Sequence, residues 1–184
     1  RDALDHHCIT IVIRETELED FMRLGIEPAL VITDSQAFGH VARHIPGHIP
    51  LTSFSILFSR LKGDFHTFLR STPLLSDLKE GDKILILESC THQTNCDDIG
   101  RVKIPGLLQQ FTGKKLSFTV VGGLSEIPPD DYAFVIQCGG CMISRKQLIN
   151  RISPFIEKGI PVTNYGMALA YMNGIFERVT KLFP

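Results

Sequence analysis

Short apolar, β-branched runs alternate with helix-patterned stretches along nearly the whole chain. The runs are Ile9–Ile13 (ITIVI), Ala29–Thr33, Ile49–Thr52, Lys83–Glu88 (KILILE), Leu116–Val121, Tyr132–Gln137 and Ile160–Thr163. Each is too short to be a membrane span, and ITIVI is a continuous apolar, β-branched run. That pattern belongs to parallel strands covered on both faces. Between the runs lie helix signals. Thr16 with Glu19 reads as a capping box and Gly25 as a stop, while Asp34 or Ser35 opens a second helix that Pro46-Gly47 breaks. Ser53 opens a Phe-rich helix, Ser144 with Gln147 forms another capping box, and Met167–Leu182 reads as one amphipathic closing helix. The sequence therefore predicts an α/β fold: two small subdomains with mostly parallel sheets flanked by helices. Breakers at Gly63-Asp64, Ser71-Thr72-Pro73 and Lys79–Asp82 put the division at about residue 78, giving units 1–78 and 79–184.

Composition narrows the function classes. Nineteen basic and twenty acidic residues leave a formal charge of -1. That balance argues against a nucleic-acid grip, which needs a basic face, and against an anionic-membrane binder. No apolar run approaches the ~18 residues of a bilayer span. Five cysteines, an odd number at low density, fit a reducing, cytoplasmic setting better than a disulfide scaffold.

Three of the cysteines fall at predicted strand ends, where open parallel sheets hold their ligands. Cys90 follows the KILILE run, and Cys138-Gly-Gly-Cys141 follows the Tyr132–Gln137 run. Parallel strands bring these thiols to one rim despite their separation in sequence. Gly139 and Gly140 let the chain wrap a bulky ligand, and a helix directly after Cys141 would add its positive end. Three thiolates suit a [4Fe–4S] cluster with one iron open to exchange. Zinc on Cys90, His92, Cys138 and Cys141 is an alternative, as is a thiol–disulfide oxidoreductase using the C-G-G-C pair. Cys96 and Cys8 are spare thiols in this reading.

The stretch Glu88–Pro105 (ESCTHQTNCDDIGRVKIP) and the later QCGGC resemble the carboxyl-terminal part of the [FeFe]-hydrogenase maturation GTPase family, HydF. The family pattern is C-x-H followed some fifty residues later by H-C-x-x-C; Cys90-Thr91-His92 and Cys138–Cys141 fall on it. The part before residue 80 resembles the family's dimerisation domain. The resemblance implies an iron–sulfur scaffold that carries the diiron subcluster precursor from two radical-SAM maturases to apo-[FeFe]-hydrogenase. It makes Cys90, Cys138 and Cys141 the cluster ligands, with His92 on the family's histidine as a fourth or nearby ligand. It also implies a homodimer or higher homo-oligomer. Gln137 stands where the family often has histidine. No G-x-x-x-x-G-K-[ST] occurs in this chain, so the GTPase part of the family is not within it and no catalytic residue is expected here.

Other residues carry weaker signals. His40, His44 and His48 are spaced by four, but Pro46-Gly47 interrupts the helix, and they read as a solvated face. Asp97-Asp98 and Asp130-Asp131 read as turn carboxylates. The charged loop around Asp97, Asp98, Arg101 and Lys103 suits an anionic cargo through its Arg and Lys side chains. Phe54, Phe58, Phe65 and Phe68 make the region 53–69 apolar on more than one side, so it is either sandwiched inside the domain or meets a partner with one face, and the family resemblance implies a subunit interface there.

Overall fold

The computed structural model describes residues 5–89, 99–129 and 131–183. Two parallel sheets are present among them. The smaller pairs β1 (Val31–Thr33) with β2 (Leu51–Ser53) in the register Val31↔Leu51. The larger has four strands in the order β4-β3-β5-β6: β3 Lys83–Glu88, β4 Ser117–Gly122, β5 Phe134–Gln137 and β6 Val162–Asn164. All of its pairings are parallel. β3 is buried from Ile84 to Leu87 and β5 throughout, as continuous apolar runs require when helices cover both faces.

The helices are α1 (Leu18–Arg23), α2 (Phe38–His44), α3 (Phe54–Lys62), α4 (Phe65–Ser71), α5 (Ile104–Thr112), α6 (Arg145–Glu157), α7 (Tyr165–Met172) and α8 (Phe176–Thr180). Most begin where the sequence places a cap. The Asp34 carboxylate accepts from Gln36 N–H at 2.7 Å, and Ser53 Oγ accepts from Ile56 N–H at 3.3 Å. Ser144 and Gln147 form the expected box. Each cap satisfies a backbone donor that the first turn leaves without an intrahelical partner.

Three local expectations are corrected. Ile9–Ile13 is not a strand: it has no regular structure, and Ile9 and Val12 are 91% and 90% exposed. A strand exists only against a neighbour, and no described residue of this chain pairs with it. Thr16 does not cap the first helix; a 3₁₀ turn starts at Glu15, and the Glu17 carboxylate takes the Arg14 N–H at 2.7 Å. The closing helix is two helices, because Asn173 and Gly174, with φ +71°, end α7 before α8 begins. α7 is buried from Tyr165 to Ala170 rather than amphipathic.

The two sheets share one hydrophobic core. The Phe-rich region splits at Gly63-Asp64. Phe65 and Phe68 on α4 are buried, whereas Phe54 on α3 is 57% exposed. Beyond α4, Thr72 Oγ1 and Thr163 Oγ1 share a hydrogen bond of 2.6 Å that ties this connection to β6. Asn164 Nδ2 donates to the Ser55 carbonyl at 2.9 Å, so the carboxyl end of β6 meets the start of α3. Gly166 permits this approach: a Cβ there would stand 2.8 Å from Ser55 Cβ and 2.9 Å from its Oγ.

Candidate metal centre

The chain leaves β3 to form β4 on one side, then crosses back to form β5 on the other. The crevice between the carboxyl ends of β3 and β5 is thus the topological switch point, where open α/β sheets bind ligands. Both cysteine elements sit there. Leu87 pairs with Gln137, and Cys138 N–H donates to the Leu87 carbonyl at 2.8 Å. Cys138 and Ser89, each the residue just past its strand, therefore lie side by side.

The Cys138 sulfur is 6% exposed and accepts two hydrogen bonds, from Ser89 N–H at 3.0 Å and from Gln137 Nε2 at 3.3 Å. A sulfur that takes two N–H donors is set up as an acceptor, the role of a metal-bound thiolate. Gln137 Nε2 also donates to Ser89 Oγ at 2.7 Å. Its Oε1 is buried and has no hydrogen-bond partner among the described residues.

Arg151, on α6, closes the base of the site. It donates to the Glu88 carbonyl at 2.9 Å, to Ser89 Oγ at 3.0 Å and to the Val121 carbonyl at 2.9 Å. Burial pushes its guanidinium below the usual arginine value, while Cys138, Tyr165 and Glu88 pull the other way. It remains the cation of the site at neutral pH. Sequence reading missed Arg151. The available signal was a charged residue within the apolar stripe of the Ser144-capped helix, between Leu148 and Ile152.

Cys141 is exposed, on the turn that Gly140 makes with φ +63°. α3 braces that turn: Lys62 Nζ donates to the carbonyls of Cys141 and Ile143, both at 3.1 Å. α6 starts at Arg145, capped by Ser144, and it packs against the C-G-G-C turn, where a Cβ at Gly140 would stand 2.7 Å from Leu148 Cδ1.

Cys90, His92, Cys96, Asp97 and Asp98 lie outside the described residues, as does Asp130. Ser89, which precedes Cys90, carries the N–H that touches Cys138. Among the described residues no group of three or more His, Cys, Asp or Glu forms a metal-binding cluster. Cys138 and Cys141 are the described part of the candidate donor set, and the two N–H donors on the Cys138 sulfur fit a cluster held by thiolates. After the loop, Ile99–Lys103 forms a π-helical turn, a rare form often found at functional sites. Gly100 in it lies under Tyr165 and Glu88, where a Cβ would overlap the Tyr165 hydroxyl. Arg101 pairs with Glu88 at 3.2 Å. Cys8 is exposed and far from this rim in sequence.

The histidines spaced by four do not share a metal. His44 Nε2 meets Glu19 at 2.8 Å, and His48, off the helix, meets Glu27 at 2.6 Å. No described helix is long and apolar enough to cross a membrane.

Two family models cover almost the entire chain. The Hydrogen maturase F dimerization domain matches residues 1–63, and the Hydrogen maturase F tetramerization domain matches residues 66–182. No curated protein gives a significant sequence match.

Proposed function

Because this chain belongs to the hydrogen maturase F family, in which it supplies the dimerization and tetramerization domains of a homo-oligomer, we propose that it is the iron–sulfur scaffold of [FeFe]-hydrogenase maturation. In this reading Cys90, Cys138 and Cys141 hold a [4Fe–4S] cluster, with His92 at or near its fourth iron. The cluster would supply an iron site open to exchange, where a diiron subcluster precursor is received and from which it leaves. The partners are the radical-SAM maturases that build the precursor and the apo-[FeFe]-hydrogenase that accepts it, in the cytoplasm.

The observation that carries this reading is the Cys138 sulfur at the β3/β5 switch point with two N–H donors on it. Those donors stabilise negative charge on sulfur. Arg151 holds the ends of β3 and β4 in place while offering a fixed positive charge nearby. Lys62 holds the turn that presents Cys141 to solvent. Buried Cys138 thus anchors, and exposed Cys141 faces the side from which cargo arrives.

Anaerobic reconstitution tests the proposal. The wild-type chain is expected to take up about four irons and four sulfides. Ser at Cys90, Cys138 or Cys141 should abolish this, whereas Ser at Cys8 or Cys96 should not. Zinc without sulfide would identify a zinc-stabilised module instead. The loaded chain should activate apo-hydrogenase with no GTP added, and His92→Ala should keep the cluster while altering transfer.

A further inference from the structure

A second site lies where the two domains meet, and neither Cys138 nor Cys141 lines it. It is a cavity of about 270 Å³ between the turn after β1, one face of α2, the π-helical turn and α7. Its lining holds the cations Lys103 and Arg43 together with His40, and no carboxylate lines it among the described residues. Lys103 Nζ donates to the neutral Gln36 Oε1 at 2.6 Å and forms no ion pair with a carboxylate among the described residues. Arg43 is exposed and makes no hydrogen bond or ion pair with the described residues. His40 Nε2 meets the Glu15 carbonyl at 3.1 Å, which orients the ring. The opposite wall is apolar, from Leu107 and Leu169.

We propose that this cavity binds a phosphoryl group, free or on a small organic body, through Arg43 and Lys103. Two cations at one cavity repel each other, and an anion between them relieves that repulsion and gains charge-assisted hydrogen bonds. Arginine's planar fork matches phosphate oxygens, and lysine adds a point charge. The volume is just under the roughly 300–1,000 Å³ of typical small-molecule sites, which favours a compact ligand. The location agrees as well. The cavity lies past the carboxyl end of a parallel strand and at a domain seam, both favoured places for ligands. Gly39 keeps it open: a Cβ there would stand 3.3 Å from Asn173 Oδ1. This site goes beyond the cluster-scaffold reading and does not depend on it.

Titration calorimetry on the full chain without cluster tests the site, using inorganic phosphate against chloride of matched ionic strength. The expected result is saturable binding at one site per chain, weakened about tenfold or more by Arg43→Ala and by Lys103→Met. Arg43 supports no other described residue, so Arg43→Ala should keep the wild-type circular dichroism spectrum. A control, Arg60→Ala, should bind as wild type. Phenyl phosphate distinguishes the ligand sources. Tighter binding than inorganic phosphate assigns an organic phosphate resting on Leu107 and Leu169, and equal binding assigns the free ion. Absence of saturable heat with either probe, or unchanged affinity in Arg43→Ala, overturns the proposal.

Discussion

The backbone N–H of Ser89 points at the sulfur of Cys138 across 3.0 Å, joining the ends of β3 and β5. The two residues are far apart in sequence, and it is the parallel register Leu87↔Gln137 that makes them neighbours. Only proline would remove this main-chain donor, and its fixed φ would disturb the strand end as well, so the tests fall on the side chains around it.

Gln137 supplies the second donor to the same sulfur, at 3.3 Å. Gln137→Leu removes it. The reconstituted cluster should then have a more negative reduction potential, because the thiolate charge is less stabilised. Spectroelectrochemical titration measures this. The fold should also lose about 1–2 kcal/mol, since the buried Ser89 Oγ loses a partner. An unchanged potential would show that Gln137 does not act on the metal site.

Arg151→Met should destabilise the chain by about 2–4 kcal/mol in urea unfolding, as the Glu88 and Val121 carbonyls lose a charged donor. Relief of the guanidinium's burial cost offsets part of this. Arg151→Lys should recover little, because an ammonium lacks the fork that reaches three acceptors.

Gly100→Ala should disturb the turn that leads away from the cysteine loop. Its Cβ would meet the Tyr165 hydroxyl and lie 2.8 Å from Glu88 Oε1. Overpacking of this kind costs about 1–3 kcal/mol, read as a lowered Tm. Tyr165→Phe in the same chain should recover part of the loss, because it removes the atom that the methyl group strikes.

The exposed run Ile9–Ile13 lies in the dimerization domain, and a second copy is expected to cover its apolar surface. Ile9→Asp with Val12→Asp should shift the oligomer towards smaller species in light scattering while the circular dichroism spectrum stays native. By contrast, Phe68→Asp should unfold the chain, since Phe68 is a core residue at 1% exposure. Phe54 remains open to subunit contact; Phe65 and Phe68 do not.

Local chemistry was legible in the residues. KILILE could only be a strand covered on both faces, and it is β3 with the bounds read from the sequence. Ser144 with Gln147, and Ser53, announced their helices, because a cap depends on residues within one turn of itself. The alternation of runs was enough to imply parallel sheets, and parallel sheets were enough to bring Cys138 to a rim. Only the tertiary structure decided the rest. ITIVI has every property of a strand and forms none, because pairing needs a neighbour that no described part of this chain provides. The closing helix breaks at Asn173-Gly174 because α7 must turn inside the core before α8 can leave it. Arg151, Lys62 and the cavity at Arg43 and Lys103 were invisible for the same reason. Each depends on side chains from segments that meet only when the two sheets pack into one core, and no pattern along the chain encodes that meeting.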